Sequence, residues 1–390
     1  MASLAHAWDM VKLVARGGPA LCNVAVTNAC NATCDFCNFA YDKGRVGKLR
    51  WIDAGRFDEA LAILHARDIR YVSFFGGETL LHPRLHEMVA MVVKRGMVPA
   101  LITNGWRLPQ RLDQLAAAGL KTVYVSIDSA DMAEHEANRG LRGLGKRIRA
   151  ATARMPKLSM IPLAQVTISK LIKDYAALAP ALRDLGFAAV SFSYPQRAAL
   201  GSTTLAWSSD SKLMAFSDDE LVAAFGAVES LRGAFPVTNP RASMSDMQRH
   251  LKGETEHFAC YGGFKSFYMD WNFDLWRCDA WNKPMCSVWD FPDTPFVRDG
   301  CTACIADCYR DSSVMLHFAV SLSDAFGNAR NGHVVSALKT LANRRNLESL
   351  GAISQNSAIL SKLAQVGSHR RPAAPSKRLN TEFRRLQSGA

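Results

Sequence analysis

Between residues 21 and 194 the chain repeats one pattern six times: a short apolar run, a polar or glycine-bearing close, then a stretch with helical spacing. The apolar runs fall at 21–27, 71–75, 98–102, 122–127, 162–168 and 188–194, and their β-favouring residues predict strands. The stretches between them predict helices at 53–67, 84–95, 109–118, 132–155 and 173–185; in the first, Phe57, Leu61 and Leu64 share one face. Strand-then-helix units of this length require right-handed crossovers and a parallel sheet. The expected fold class is therefore α/β, a partial (β/α)6 TIM-like barrel, with its chemistry gathered at the C-terminal ends of the strands.

Outside the repeats the pattern weakens. Residues 1–16 have helical spacing, 201–219 are rich in Ser and Thr and read as a loop or partial lid, 219–231 predict a helix, and 235–245 a connection. From about residue 248 to 309, aromatics, Gly, Asp and Cys dominate. Such a segment lacks the apolar period for a core of its own, so bound metal is its expected staple. Beyond it, 314–326 and 334–364 predict helices. The expected organisation is an N-terminal helical segment at 1–20, a core domain at 21–235, a small cysteine-rich domain at 248–312, a helical basic tail at 313–364 and a disordered end at 365–390.

Composition adds three constraints. With 390 residues, 48% of them hydrophobic, the chain can bury a large core and a smaller one. Asp9, Lys12 and Arg16 interrupt any signal-like apolar run, and no run approaches the roughly 18 residues of a spanning helix, so the expected location is cytoplasmic. The formal charge is +12, and from residue 313 onward eleven Lys or Arg face three acids, 11 − 3 = +8. That tail suits an anionic membrane surface, nucleic acid or plain solvation. Val334, Val335, Leu338 and Leu341 fall on one helical face with Arg344 and Arg345 beyond, which fits either a peripheral membrane contact or a helix docked on the barrel.

Ten cysteines in such a chain point to metal or catalysis rather than disulfides. Cys22, Cys30, Cys34 and Cys37 lie near the front; Cys260, Cys278, Cys286, Cys301, Cys304 and Cys308 lie near the back, which suggests two centres. Cys30-Asn31-Ala32-Thr33-Cys34-Asp35-Phe36-Cys37 follows the first strand with C-x3-C-x2-C spacing. Three thiolates can hold three irons of a [4Fe-4S] cluster and leave the fourth open for a substrate or cofactor. Taken alone, the octet also fits a zinc knuckle, and Cys301-x2-Cys304 a zinc ribbon.

The order of further motifs favours the cluster. Gly76-Gly77-Glu78 ends the second strand, Thr103-Asn104-Gly105 the third and Ser126-Ile127-Asp128 the fourth, with His135, Asn138 and Arg139 in the following helix. Together these resemble the radical S-adenosylmethionine (SAM) superfamily, and more narrowly its members with a C-terminal SPASM or twitch extension, over residues 23–309. The resemblance implies that Cys30, Cys34 and Cys37 ligate the cluster whose open iron binds SAM. It places Phe36 near the adenine, and Gly76, Gly77 and Glu78 at the methionyl group. Thr103 and Asn104 would shape the site, Ser126 and Asp128 lie near the ribose, and Arg139 reaches the carboxylate, with Ser169 a further contact. It also implies at least one auxiliary [4Fe-4S] cluster on Cys260, Cys278, Cys301 and Cys304.

Two departures stand out. Phe273 replaces a glycine that SPASM members carry five residues before their second cysteine, and Cys304-x3-Cys308 is shorter than the family spacing. Six cysteines are too few to ligate two further clusters fully. The resemblance implies an enzyme that reductively cleaves SAM to a 5′-deoxyadenosyl radical and abstracts hydrogen from an unidentified peptide, small-molecule or lipid-like substrate. The outcome would be oxidation, coupling, rearrangement or epimerisation. A flavodoxin or ferredoxin would supply electrons, and Cys308 or Cys286 would be a thiol hydrogen donor. The alternative, a non-catalytic iron-sulfur protein that binds nucleic acid or senses iron, rests on the basic tail and leaves Glu78, Ser126 and Arg139 unexplained.

Overall fold

In a computed structural model of the chain, residues 12–40, 47–195, 211–278 and 280–368 are described. Most of the expected N-terminal helix, the 201–210 part of the expected lid and the 369–390 part of the expected disordered end lie outside them. Six parallel strands form the barrel wall: β1 (Ala20–Ala25), β2 (Ile69–Phe75), β3 (Val98–Thr103), β4 (Thr122–Ile127), β5 (Ile161–Thr167) and β6 (Ala189–Ser193). The helices between them are α1 (Phe57–Ala66), α2 (Leu85–Lys94), α3 (Leu108–Ala117), α4 (Met132–Arg139), α5 (Leu144–Thr152) and α6 (Leu178–Asp184). All but α4 cover the sheet with a largely apolar face, as Phe57, Ala60, Leu61 and Leu64 do in α1, whereas α4 buries His135 and Arg139.

Three differences from the sequence expectation have local causes. The single helix expected over 132–155 is two, because Gly140 caps α4 at φ 62° and Gly143 opens α5 at φ 83°. Helix α6 starts at Leu178 rather than 173; Pro180 lacks an N–H and fits only a first turn. The connection expected at 235–245 gives way to α8 (Arg241–Leu251), which follows α7 (Asp218–Leu231). Its buried side chains include Ser243 and Asp246 as well as Met244 and Met247, so its inner face carried no apolar stripe to read.

The cysteine-rich segment extends the barrel sheet. Strand β7 (Ser266–Met269) pairs parallel with β1, β8 (Asp274–Trp276) antiparallel with β7, and β9 (Cys286–Ser287) with β8. The sheet order is β6-β5-β4-β3-β2-β1-β7-β8-β9. Phe267, Tyr268, Leu275 and Phe291 belong to the same core as Val24 and Phe74, so apolar packing supports this segment along with any metal. Lys265, buried just before β7, donates to the carbonyls of Arg16 and Gly18 and ties the N-terminal segment down. Phe273, at the glycine position, keeps a left-handed backbone at φ 66° while its ring packs on Trp289 at 5.4 Å. That conformation costs a non-glycine residue about 1–2 kcal/mol.

The tail is helical, but the single helix expected over 334–364 is two: after α9 (Asp307–Arg330) come α10 (Val334–Leu341) and α11 (Arg344–Ser368), the last running past residue 364. Helix α9 packs on α8, β6 and β7, and α11 packs on α9 and α8. No described helix is long and apolar enough to cross a membrane.

Candidate active site and cysteine centres

After β1 the backbone is pinned before it reaches the first cysteine. Ile52 N donates to the Val26 carbonyl at 2.9 Å, Thr27 Oγ1 to the Arg50 carbonyl at 2.7 Å, and Arg50 N to Asn28 Oδ1 at 2.7 Å. The octet then wraps over the C-terminal end of α4. Thr33 N donates to the Arg139 carbonyl at 3.0 Å and Asp35 N to Asn138 Oδ1 at 3.2 Å. A Cβ on Gly140 would sit 2.4 Å from Thr33 Oγ1, so only glycine permits this approach.

Cys34 is buried, Cys30 and Cys37 partly so, and the thiols lie within electrostatic reach of one another. Burial, then the charges of Cys37 and Glu78, push Cys30 up to about 12. Burial pushes Cys34 up as well, against the pull of Arg139. Burial thus favours the neutral thiols, and a bound cation would favour the thiolates instead. Phe36 is buried between the second and third cysteines.

The second strand's motif supports the octet from the side. Gly77 N donates to the Thr27 carbonyl and Glu78 N to the Ala29 carbonyl, each at 2.7 Å. A Cβ would lie 2.4 Å from Thr27 O on Gly76 and 2.1 Å from Ala29 O on Gly77. In the structure, then, these glycines let two loops of the chain meet. Glu78 is 1% exposed and accepts from Leu80 N at 2.9 Å, Thr103 Oγ1 at 2.6 Å and Asn104 N at 2.7 Å. Burial raises its pKa and those donors oppose the rise. Asn104 Nδ2 donates in turn to Asn31 Oδ1 at 2.9 Å, inside the cysteine octet. Ser126 Oγ donates to the Thr103 carbonyl at 3.3 Å.

Under the octet lies a buried ion pair. Arg139 donates from Nε to Asp128 Oδ2 at 2.8 Å and from Nη2 to Oδ1 at 2.6 Å, and Asn138 Nδ2 adds a bond to Oδ2 at 2.8 Å. Burial disfavours the Asp128 carboxylate, but Arg139 and His135 outweigh it and hold its pKa well below the usual range. His135 Nδ1 accepts from Asp128 N at 3.1 Å and lies 3.5 Å from Asp128 Oδ2. His135 and Asn138, named with Arg139 in the sequence pattern, are thus positioning residues, and Asn31, inside the octet, is a further one that no cysteine or glycine spacing singles out.

In the C-terminal half, Cys260, Cys278, Cys301 and Cys304 come together around Ala306 and Tyr309. Cys260 N donates to the Cys301 carbonyl at 2.8 Å, and Gly262 N to Cys260 Sγ at 3.3 Å. Burial, then the Cys301 and Cys278 charges, push Cys260 up to about 12. The Arg277 guanidinium is within electrostatic reach of Cys278 and Cys301 and is paired bidentately with Asp299, which also accepts from Cys301 N. Cys286 instead packs on the main core near Arg67, and Cys308 is exposed in the first turn of α9. Among the described residues no three His, Cys, Asp or Glu side chains close on a single ion.

The donor chemistry fits iron-sulfur clusters: three thiols on one loop, four around Cys260, and an N–H aimed at a sulfur. A polar ligand fits the barrel mouth, where Ser169 Oγ, two residues past β5, and His135 Nε2 are buried with no hydrogen-bond partner among the described residues.

Fold and site together define a class, an α/β barrel that offers three thiols where a full cluster set has four. Residues 24–163 match the Radical SAM superfamily. The match identifies residues 24–163 as a radical SAM domain, the mark of enzymes whose cofactors are a [4Fe-4S] cluster and SAM, and the C-terminal cysteine-rich region is consistent with an auxiliary-cluster domain. It is 33% identical over 110 residues to GTP 3',8-cyclase of Chlorobaculum tepidum, covering 28% of this chain and 32% of that one. It is 30% identical over 154 residues to AdoMet-dependent heme synthase of Methanosarcina barkeri, covering 39% and 43%. The chain spans about a third of the length of the first curated relatives it matches. Its fold resembles Streptococcus suis SuiB bound to precursor peptide SuiA, with TM-score 0.52 and 14% identity over 67% of this chain and 60% of that one.

Proposed function

We propose that this protein binds a [4Fe-4S] cluster on Cys30, Cys34 and Cys37, holds SAM against its open iron, and generates a radical that takes a hydrogen atom from a substrate at the barrel mouth. The observation that carries the reading is the incomplete thiol set on one loop, braced by Glu78 through Asn104 and Asn31 and by Arg139 through its carbonyl. When bound, the cluster and SAM supply one-electron cleavage of the sulfonium C–S bond.

The chain's own residues do the rest. Asp128 and Arg139 fix the end of α4 beneath the octet, so the three sulfurs keep one mutual arrangement. The Arg139 charge favours the thiolate forms of Cys34 and Cys30. The second Oε2 lone pair of Glu78 can accept from an ammonium, and Ser169 Oγ can donate to the ligand. Phe36 and the buried walls exclude water. Cys260, Cys278, Cys301 and Cys304 would hold one auxiliary cluster, and Cys308 offers an exposed thiol for hydrogen donation.

The test is anaerobic reconstitution with iron and sulfide, followed by SAM and dithionite. Formation of 5′-deoxyadenosine is expected; its absence, with or without candidate substrates, overturns the reading and favours a non-catalytic iron-sulfur protein. Transfer of substrate deuterium into 5′-deoxyadenosine then identifies the C–H bond attacked.

A further inference from the structure

The described residues leave fourteen large hydrophobic side chains exposed, and seven of them fall within residues 326–350. These are Phe326 at the end of α9, Val334, Val335, Leu338 and Leu341 on α10, and Leu347 and Leu350 on α11, between 39% and 71% exposed. On α10 the positions i, i+1, i+4 and i+7 lie on one side of the helix, and only Ala337 is buried. The face that the sequence left open between docking and exposure is therefore turned to solvent.

The surface is held in place from behind. Ser349 Oγ donates to the Val314 carbonyl at 2.6 Å and accepts from Phe318 N at 3.1 Å, fixing α11 to α9. Buried Asn346 donates from Nδ2 to the carbonyls of Thr340 and Leu341, at 2.8 and 3.0 Å, and locks the corner between α10 and α11. The apolar side chains are thus presented on a braced corner.

Their surroundings are cationic. Within residues 326–350, Arg330, Lys339, Arg344 and Arg345 are all exposed and face one acid, Glu348, which pairs with Arg344 at 3.3 Å. The 22 residues after Ser368 add six Lys or Arg against Glu382, 6 − 1 = +5. An aliphatic face rimmed by cations, at the root of a further basic stretch, is complementary to a surface that is anionic outside and hydrocarbon within.

We propose that the α10–α11 corner is a peripheral membrane-docking surface, inserting Val334, Val335, Leu338 and Leu347 among acyl chains while Arg330, Lys339, Arg344 and Arg345 meet anionic headgroups. The docking is independent of the radical chemistry. It brings the barrel to the bilayer surface, where an amphipathic substrate would be concentrated.

Flotation of the reconstituted full-length protein tests it, with phosphatidylcholine vesicles against the same vesicles containing about a third phosphatidylglycerol. Recovery in the floating fraction is expected only with the anionic vesicles, falling as salt rises. Val335→Glu/Leu338→Glu and Arg344→Glu/Arg345→Glu should each weaken binding about tenfold or more. Because these side chains are exposed, 5′-deoxyadenosine formation and melting temperature should not change. Equal recovery at the bottom with both vesicle types overturns the proposal. So does flotation that both variants retain, which would assign binding elsewhere in the chain. A wild-type dimer that Val335→Glu/Leu338→Glu turns into a monomer, without anionic-vesicle binding, would overturn it in favour of a self-association face.

Discussion

The two thiol centres are built in opposite ways. The first is one eight-residue loop, clamped from the side by the Gly76–Glu78 turn and from below by the end of α4. The second draws Cys260, Cys278, Cys301 and Cys304 from positions spread over 45 residues and gathers them around Tyr309 and Ala306. One rests on a buried ion pair, Arg139 with Asp128; the other lies beside Arg277, whose partner Asp299 is half-exposed. A loop with that much bracing can keep an incomplete ligand set open for a second molecule. A set of four sulfurs needs less, because the group it binds would itself cross-link the segment.

The sharpest break in this comparison comes from the cysteines. Cys34→Ala should abolish the first cluster and reduce 5′-deoxyadenosine formation to background. Cys304→Ala should cost about four irons per chain and leave SAM cleavage without substrate intact; iron analysis and product chromatography read both. Next in size is the ion pair. Asp128→Ala leaves Arg139 charged and buried and should cost about 3–5 kcal/mol in chemical denaturation of the metal-free chain, whereas Arg277→Ala should cost about 1 kcal/mol.

Backbone crowding gives a smaller difference. Gly77→Ala drives a methyl against the Ala29 carbonyl and should cost about 1–3 kcal/mol, with loss of iron from the first centre. Gly262→Ala meets the Arg277 carbonyl at 3.2 Å and should leave iron content near wild type. The smallest effect is a pH dependence of opposite sign in the two halves. Burial raises Asp270, in the β7–β8 turn, to about 6 despite bonds from Trp276, Asn272 and Asp274. The folded state then holds this proton more tightly than the unfolded chain, so stability falls as pH rises from about 4 to 6. Asp270→Asn should remove on the order of 1–2 kcal/mol of that slope. Asp128, depressed instead, keeps its contribution until pH falls below the usual carboxylate range.

The barrel was legible because each strand is a compact apolar run with a polar stop, and all six expected strands formed within two residues of their expected ends. The first thiol centre was legible for the same reason of locality, since its cysteines share one loop. The glycines Gly76 and Gly77 were recognisable as a motif, yet the surface they accommodate, Thr27 and Ala29 of the same chain, exists only once β1 and β2 pair. Phe273 read as a departure from a glycine pattern; the backbone keeps the left-handed turn and anchors it with ring packing. Helix α8 was missed because it buries serine and aspartate, which satisfy Asp311, Arg310 and the 257–258 backbone rather than forming an apolar stripe. The pairing of β7 with β1 could not be read at all, since nothing local specifies a partner more than two hundred residues away.

That pairing sets a schedule for biosynthesis. Leu21 finds its partner Ser266 only after the whole barrel wall between them has been translated. At about 5–20 residues per second, one edge of β1 waits roughly 10 to 50 s with its hydrogen-bonding groups uncovered. The cysteine octet hangs from that same strand, so a nascent chain passes through a stage in which an open edge and three thiols emerge together. With a cluster on Cys30, Cys34 and Cys37 as proposed, slowing translation across residues 21–266 should lower the yield of iron-loaded protein before it changes the stability of the finished fold.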